Sequence, residues 1–337
     1  MSAPRTKPEG APSPPGAAFY AGAPARGRRG APPRPASAKP RSGPPAAPPA
    51  AAETAAAPPP KAWLGDFQPT LCALSDAELG AAAGRMFDAL RGGRDPVPAG
   101  GRPHMVLTIG APGSGKSTLA QACVDALGAH PFASYMVVDF DDLVRFHPRL
   151  NDIWHVPDMF GRPTEVGFAF GWDRCADFFA AQASAFLATA VERRFNVVVQ
   201  SHWQRWLTTP GIEAYRTTLL YVGAPLEVAT RRARSRAAAT GKFLAPTLAA
   251  QDAAVKTAWD DYRRTAPWYA LWADDFVAVA NGDGAPPPSA ADFLRVDPHA
   301  GPSWRAGLEA VETALAVVHG EKPRSALPPA AAAARKK

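Results

Sequence analysis

Short apolar runs, separated by stretches in which apolar residues recur every three or four positions, organise the middle of this chain. His104 to Ile109 (HMVLTI), Tyr135 to Asp139 (YMVVD), Phe195 to Val199 (FNVVV), Thr217 to Val222 (TTLLYV) and Phe276 to Ala280 are each the length of a buried strand. Between them, helical spacing marks Lys116 to Leu127, Trp172 to Arg194 with Phe178, Phe179, Phe186 and Leu187 on one face, and Leu226 to about Ala238. Two more helices are predicted from Thr247 to about Arg264 and from Trp304 to His319, the latter capped by Gly320. Ahead of all these, Ser75 and Glu78 form a capping-box pattern that opens a helix through Ala83, Met86, Phe87 and Leu90, and Gly92 and Gly93 close it. Strands alternating with helices predict an α/β domain built on a doubly wound, mostly parallel five-stranded sheet with flanking helices. Runs that are apolar throughout, rather than at every second position, belong to strands covered on both faces.

The pattern stops at both ends. Residues 1–60 are mostly Pro, Ala, Gly, Ser and Arg, with Phe19 and Tyr20 the only aromatic side chains, too little burial to offset the entropy of ordering. They predict a disordered, partly polyproline-like arm, and residues 321–337 predict a disordered basic tail. The folded domain is then 61–320, with 61–103 a helical extension ahead of the first strand.

This division changes what the formal charge of +7 means. The arm holds eight Lys or Arg against two Glu, the tail five against one, so the 260 residues between them carry a net −3. A basic arm of this kind suits weak, salt-sensitive contact with nucleic acid, and its prolines suit an SH3 or WW module. The domain itself has no such signature. Cys72, Cys123 and Cys175 are far apart and form no CxxC or Cys/His cluster, which argues against a disulfide framework and a zinc site. No apolar run approaches 18 residues and no apolar signal region stands near Met1, so the expectation is a soluble, cytoplasmic protein with no membrane span.

One segment carries specific chemistry. Gly110-Ala111-Pro112-Gly113-Ser114-Gly115-Lys116-Ser117 fits G-x-x-x-x-G-K-[ST], with a predicted strand before it and a predicted helix after it. Glycines let successive backbone N–H groups turn inward on phosphate oxygens, and the helix adds its positive N-terminal end. Lys116 then reaches the β- and γ-phosphates and the Ser117 hydroxyl ligates Mg²⁺, with Thr118 beside it on the first turn. This is the Walker A pattern, and the domain resembles a P-loop NTPase with ATP and Mg²⁺ as its ligands.

The second strand ends in Asp139, followed by Asp141 two residues on, so both carboxylates share a face at the carboxyl end of the sheet. One carboxylate can organise the Mg²⁺ shell and the other can accept a hydroxyl proton. The competing reading is that Asp141 or Asp142 merely caps a short helix before Pro148. On the helix from Leu226, Arg232 and Arg236 lie four apart on one face, suited either to a lid over the γ-phosphate or to a solvated basic surface. His202, Trp203, Arg205 and Trp206 cluster where a ring could stack on an acceptor, or pack in the core. Trp259, Tyr262, Trp268, Tyr269 and Trp272 recur at near-helical spacing and read as core.

Taken together, the Walker A loop and Asp139-Phe-Asp141-Asp-Leu143 with His147-Pro148 resemble the zeta-toxin family of P-loop kinases. Thr217 to Val222, Pro225, Arg232 with Arg236, and Lys242 before Pro246 look like that family's later landmarks, over about 105–281. The resemblance implies phosphorylation of a sugar hydroxyl of UDP-N-acetylglucosamine by ATP, with Asp141 as base, Lys116 on the phosphates, Arg232, Arg236 and Lys242 around the γ-phosphate, Asn281 near the adenine, and an antitoxin-like partner. The third strand ends in Gln200, where the family commonly has glutamate, and Arg145 sits one place later than the family's arginine. Two other classes stay open: a nucleoside, nucleotide or polynucleotide 5′-kinase of the same fold, and a nucleotide-binding scaffold without catalysis.

Overall fold

The computed structural model describes residues 74–139, 145–148, 176–200, 206, 209–240, 248–284 and 288–327. Asp141, Asp142, Lys242, His202, Trp203, Arg205, Cys72, Cys175, residues 1–60 and the end of the basic tail lie outside them. Six strands are described: β1 (His104–Ile109), β2 (Tyr135–Val138), β3 (Asn196–Val199), β4 (Arg216–Gly223), β5 (Asp275–Ala280) and β6 (Leu294–Val296). Their order across the sheet is β2-β3-β1-β4-β5-β6, the first five parallel and β6 antiparallel to β5. The helices are α1 (Asp76–Arg91), α2 (Lys116–Leu127), α3 (Ala176–Glu192), α4 (Leu226–Thr240), α5 (Leu248–Ala270) and α6 (Trp304–Val318).

Five parallel strands therefore stand where the apolar runs predict them, and two elements go further. β6 is a three-residue pairing whose middle residue is Arg295, too short and too polar to show a period of its own. α5 continues past Arg264 to Ala270 with Pro267 inside it. Pro267 has no N–H to give the carbonyl one turn back, but Ala266, Tyr269 and Ala270 are buried against the sheet, and that burial favours carrying the helix on.

Alternate residues of the strands feed two cores. Met105, Leu107, Ile109, Val197, Val199, Leu219, Tyr221, Phe276 and Ala278 face α1, α3, α5 and α6. Val106, Val198, Leu220, Val222, Val277 and Val279 face α2. Cys123 of α2 lies in this second core, and burial pushes its thiol up to about 12, which makes it a small apolar group rather than a nucleophile. α1 is closed as its sequence predicts: Ser75 and Glu78 make the reciprocal capping box and Gly92 takes a left-handed conformation.

The edge where the strands begin is fastened by polar bonds. His104 is fully buried, with Nδ1 2.6 Å from the Tyr135 hydroxyl and Nε2 2.9 Å from Thr218 Oγ1. Its backbone N–H donates to Asn196 Oδ1 at 2.8 Å. Arg194 donates to the carbonyls of Val97, Pro98 and Gly101, tying the turn after α3 to the approach to β1. The opposite edge, where the parallel strands end, carries the candidate chemistry.

Candidate active site

β1 lies between β3 and β4, and the chain leaves it at Gly110 to enter α2 at Lys116. Gly113 and Gly115 hold left-handed backbone, φ 81° and 92°, and both are closely approached. A Cβ on Gly113 would overlap the Ala229 carbonyl oxygen of α4; one on Gly115 would overlap Asn281 Nδ2. Gly115 is also the N-cap of α2 and offers no side-chain cap, so the first N–H groups of the helix are left for a ligand. Lys116 Nζ donates to the carbonyls of Gly110 (2.7 Å) and Ala111 (3.1 Å), which folds the ammonium back over its own loop. Ser114 N donates to Ala111 O at 3.0 Å, while the buried Ser114 hydroxyl has no hydrogen-bond partner among the described residues. Ser117 and Thr118 stand exposed on the first turn of α2. Glycines that leave no room for a side chain, an uncapped helix N-terminus and one ammonium are the groups that suit phosphate oxygens.

Asn281 follows β5 and braces this loop. Its N–H donates to Gly223 O and its Nδ2 to Ser114 O, both at 2.7 Å. Arg232 in turn donates to the carbonyls of Asn281 (3.2 Å) and Gly282 (3.1 Å) and pairs with Asp283 at 2.9 Å, and Arg231 pairs with the same carboxylate. The structure thus places Arg232, expected over the phosphates, on the segment after β5, and places Asn281, expected near an adenine, against the phosphate loop. Arg236 is exposed one turn further along α4, and Arg234 is bound to Asp252 of α5. α4 reaches the loop through Ala229 and Ala233, which form a small buried cluster with Ala111, Ala224 and Val255. Sequence reasoning missed this contact, although two alanines four apart on an arginine-rich helix are the composition a close backbone approach requires.

On the other side of β1 the strand register places the acidic end of β2. Val138 pairs with Val199, and Gln200 N donates to Val138 O at 2.8 Å, so Asp139 and Gln200 emerge on adjacent strands. Two strand spacings separate β2 from β1, which sets half-buried Asp139 roughly 10 Å from the strand that feeds the loop. Among the described residues no group of three His, Cys, Asp or Glu could hold a metal. Ser117 and Asp139 offer a hydroxyl and a carboxylate, oxygen donors of the kind a hard divalent cation takes.

The aromatic residues divide. Tyr269 and Trp206 are buried, while Trp259, Tyr262, Trp268 and Trp272 are half-buried. Trp259 Nε1 donates to Ala224 O at 2.8 Å, just past β4, and its ring meets that of His319 edge-on at 5.0 Å. His319 Nε2 lies 2.8 Å from the Tyr221 hydroxyl; burial, assisted by the nearby Arg263, holds the imidazole down at about 4. Sequence reasoning had not singled out this histidine. Among the described residues no helix is long and apolar enough to cross a membrane.

Residues 105–258, from β1 into α5, match the family model described as an AAA domain. No curated protein matches the chain. Three solved structures show limited similarity. One is from the PezAT chromosomal toxin–antitoxin system of Streptococcus pneumoniae (13% identity, 62% of this chain and 79% of that one, TM-score 0.46). Another is shikimate kinase from Acinetobacter baumannii in complex with shikimate (14%, 66% and 96%, TM-score 0.32). The third is AvrRxo1-ORF1:-ORF2 with ATP (14%, 68% and 70%, TM-score 0.35). Identities and scores this low say nothing about substrate. The glycine loop between a parallel strand and its helix lies inside the stretch that the AAA-domain model matches.

Proposed function

We propose that the chain is an ATP-dependent phosphotransferase that moves the γ-phosphate of ATP to a hydroxyl of a small acceptor. The observation that carries this reading is the Lys116 ammonium held over a loop whose glycines admit no side chain, beside an uncapped helix N-terminus. Phosphate oxygens compete for Lys116 against the Gly110 and Ala111 carbonyls and take the free N–H groups of α2. Ser117 and Asp139 would hold Mg²⁺, which when bound neutralises phosphate charge. Asp141 takes the proton of the acceptor hydroxyl; that oxygen forms a bond to the γ-phosphorus, the bond to the β–γ bridging oxygen breaks, and ADP leaves. Arg236 and Lys242 supply positive charge to the transferring group, while Arg232 holds the segment after β5.

The zeta-toxin resemblance makes UDP-N-acetylglucosamine the first acceptor to try and an antitoxin-like protein the first partner. A screen of the full chain with radiolabelled ATP against sugar nucleotides, nucleosides and 5′-hydroxyl oligonucleotides tests the reading. Label transferred to any acceptor class supports it and names the class. Tight ATP binding with no transfer would instead favour a nucleotide-binding scaffold, the reading that Gln200 in place of a carboxylate beside Asp139 supports.

A further inference from the structure

α6 ends against the end of β4. His319, the residue that caps α6, has Nε2 2.8 Å from the Tyr221 hydroxyl, and the two rings meet edge-on with centroids 5.8 Å apart. A Cβ on Gly223 would overlap Val318 Cγ1, so the last turn of α6 lies directly on the backbone of β4. Trp259 of α5 completes the contact, with its ring edge-on to the imidazole and its Nε1 donating to Ala224 O. The imidazole is held from its own side as well. His319 N donates to Leu315 O at 2.9 Å, and Arg263, which lies over the Trp259 ring at 5.4 Å, pairs with Glu321 two residues on.

The same four residues, 221–224, also hold the phosphate loop. Tyr221 is the register partner of Ile109, the last residue of β1 before Gly110. A Cβ on Gly110 would overlap the Val222 carbonyl oxygen. Gly223 O accepts from Asn281 N, and Asn281 Nδ2 donates to Ser114 O, both at 2.7 Å. Lys116 Nζ in turn donates to Gly110 O. Residues 221–224 therefore stand between contacts from α5 and α6 and contacts to the loop. Gly223 and Gly110 leave no slack at either, so a shift of the α6 end is passed to the loop.

We propose that His319 is a positioning residue for nucleotide binding: its ring keys the end of β4 and thereby sets where Gly110 and Asn281 hold the phosphate loop. This rests on reading that loop as an ATP site. Apolar packing of α6 on β4 tolerates sliding, whereas a hydrogen bond from one ring to one hydroxyl holds at one separation. Burial keeps the imidazole neutral at pH 7, so the link carries no charge that needs solvating. A loop already set in its bound geometry takes up phosphate without a further ordering cost.

The test uses the full chain and a non-hydrolysable ATP analogue, titrated calorimetrically with Mg²⁺ below the melting temperature of every variant. H319A and Y221F should each lower affinity roughly fivefold, the worth of one hydrogen bond. The double variant should lose no more than either alone, since all three remove the same link. H319Q, whose carboxamide has a donor and an acceptor at similar reach, should restore affinity to within about twofold of wild type. If H319A and Y221F melt lower yet bind the analogue as wild type does, the proposal is overturned and the cluster is packing alone; an H319Q as weak as H319A overturns it too. Either result leaves the ATP site standing. A wild type that does not bind the analogue overturns the ATP reading and the proposal together. If H319A does not fold, Y221F, which removes a single oxygen, carries the comparison.

Discussion

Asn281 donates from Nδ2 to the carbonyl oxygen of Ser114 at 2.7 Å, joining the end of β5 to the phosphate loop across 167 residues. Because Arg232 holds the Asn281 carbonyl and α4 lies on Gly113, three distant segments form one closed brace. Asn281→Ala should leave the fold intact and weaken binding of a non-hydrolysable ATP analogue by roughly tenfold, about the worth of one hydrogen bond that orders the loop. Calorimetric titration reads this; equal affinities would reduce the contact to packing.

Gly113 and Gly115 separate two kinds of obstruction. At Gly115 the obstacle is the end of a side chain, which can swing away, whereas at Gly113 it is the Ala229 backbone carbonyl, which cannot. Gly113→Ala should therefore cost more folding stability than Gly115→Ala, on the order of 2–4 kcal/mol against 1–2. Urea unfolding of the two variants decides the order.

Lys116→Ala removes two hydrogen bonds to the loop's own carbonyls, so stability should fall by about 1 kcal/mol or less, while ATP affinity falls far more. Asp141→Asn should do the reverse to function: turnover down roughly a hundredfold or more with ATP binding nearly unchanged. Single-turnover transfer alongside equilibrium binding distinguishes the two, and full turnover in the Asp141 variant would remove it as the base.

Acid should weaken the fold through its buried histidines. Burial, with Arg216 nearby, holds His104 down at about 3, and His319 sits at about 4, against 6.5 in an unfolded chain. Above pH 6.5 neither state is protonated and the stability is fully present. Below it the unfolded chain takes up protons that the native state refuses, so stability declines as pH falls from 6.5 toward 3, by up to about 1.4 kcal/mol per pH unit for His104. Urea midpoints at pH 7.5, 6 and 5 should drop in that order, and less steeply in His104→Gln. A flat wild-type profile over this range would contradict the assignment.

The parts of this fold legible in the sequence are those whose cause is local. HMVLTI reads as a strand because a parallel strand covered on both faces is apolar throughout, and the phosphate loop reads from its glycines because backbone amides cannot converge without them. β6 was hidden because its register, Val296 against Phe276, is decided by a strand some twenty residues away. The spacing of Arg232 and Arg236 told which side of α4 they share, but what stands opposite depends on Asp283, contributed by the far side of β5.

β6 also decides how this sheet meets other copies of itself. A parallel strand left open at that side would present an unpaired row of backbone groups for another chain to join. Here the sheet finishes in three residues running the other way, and Arg295 at their centre extends its guanidinium toward the Leu127 carbonyl at the end of α2. So short a reversed strand gives an incoming strand little to pair with, and the charge beside it disfavours stacking. Replacing Arg295 by valine would extend the apolar surface there, and a rise in light scattering on standing is the cost we expect from removing that guard.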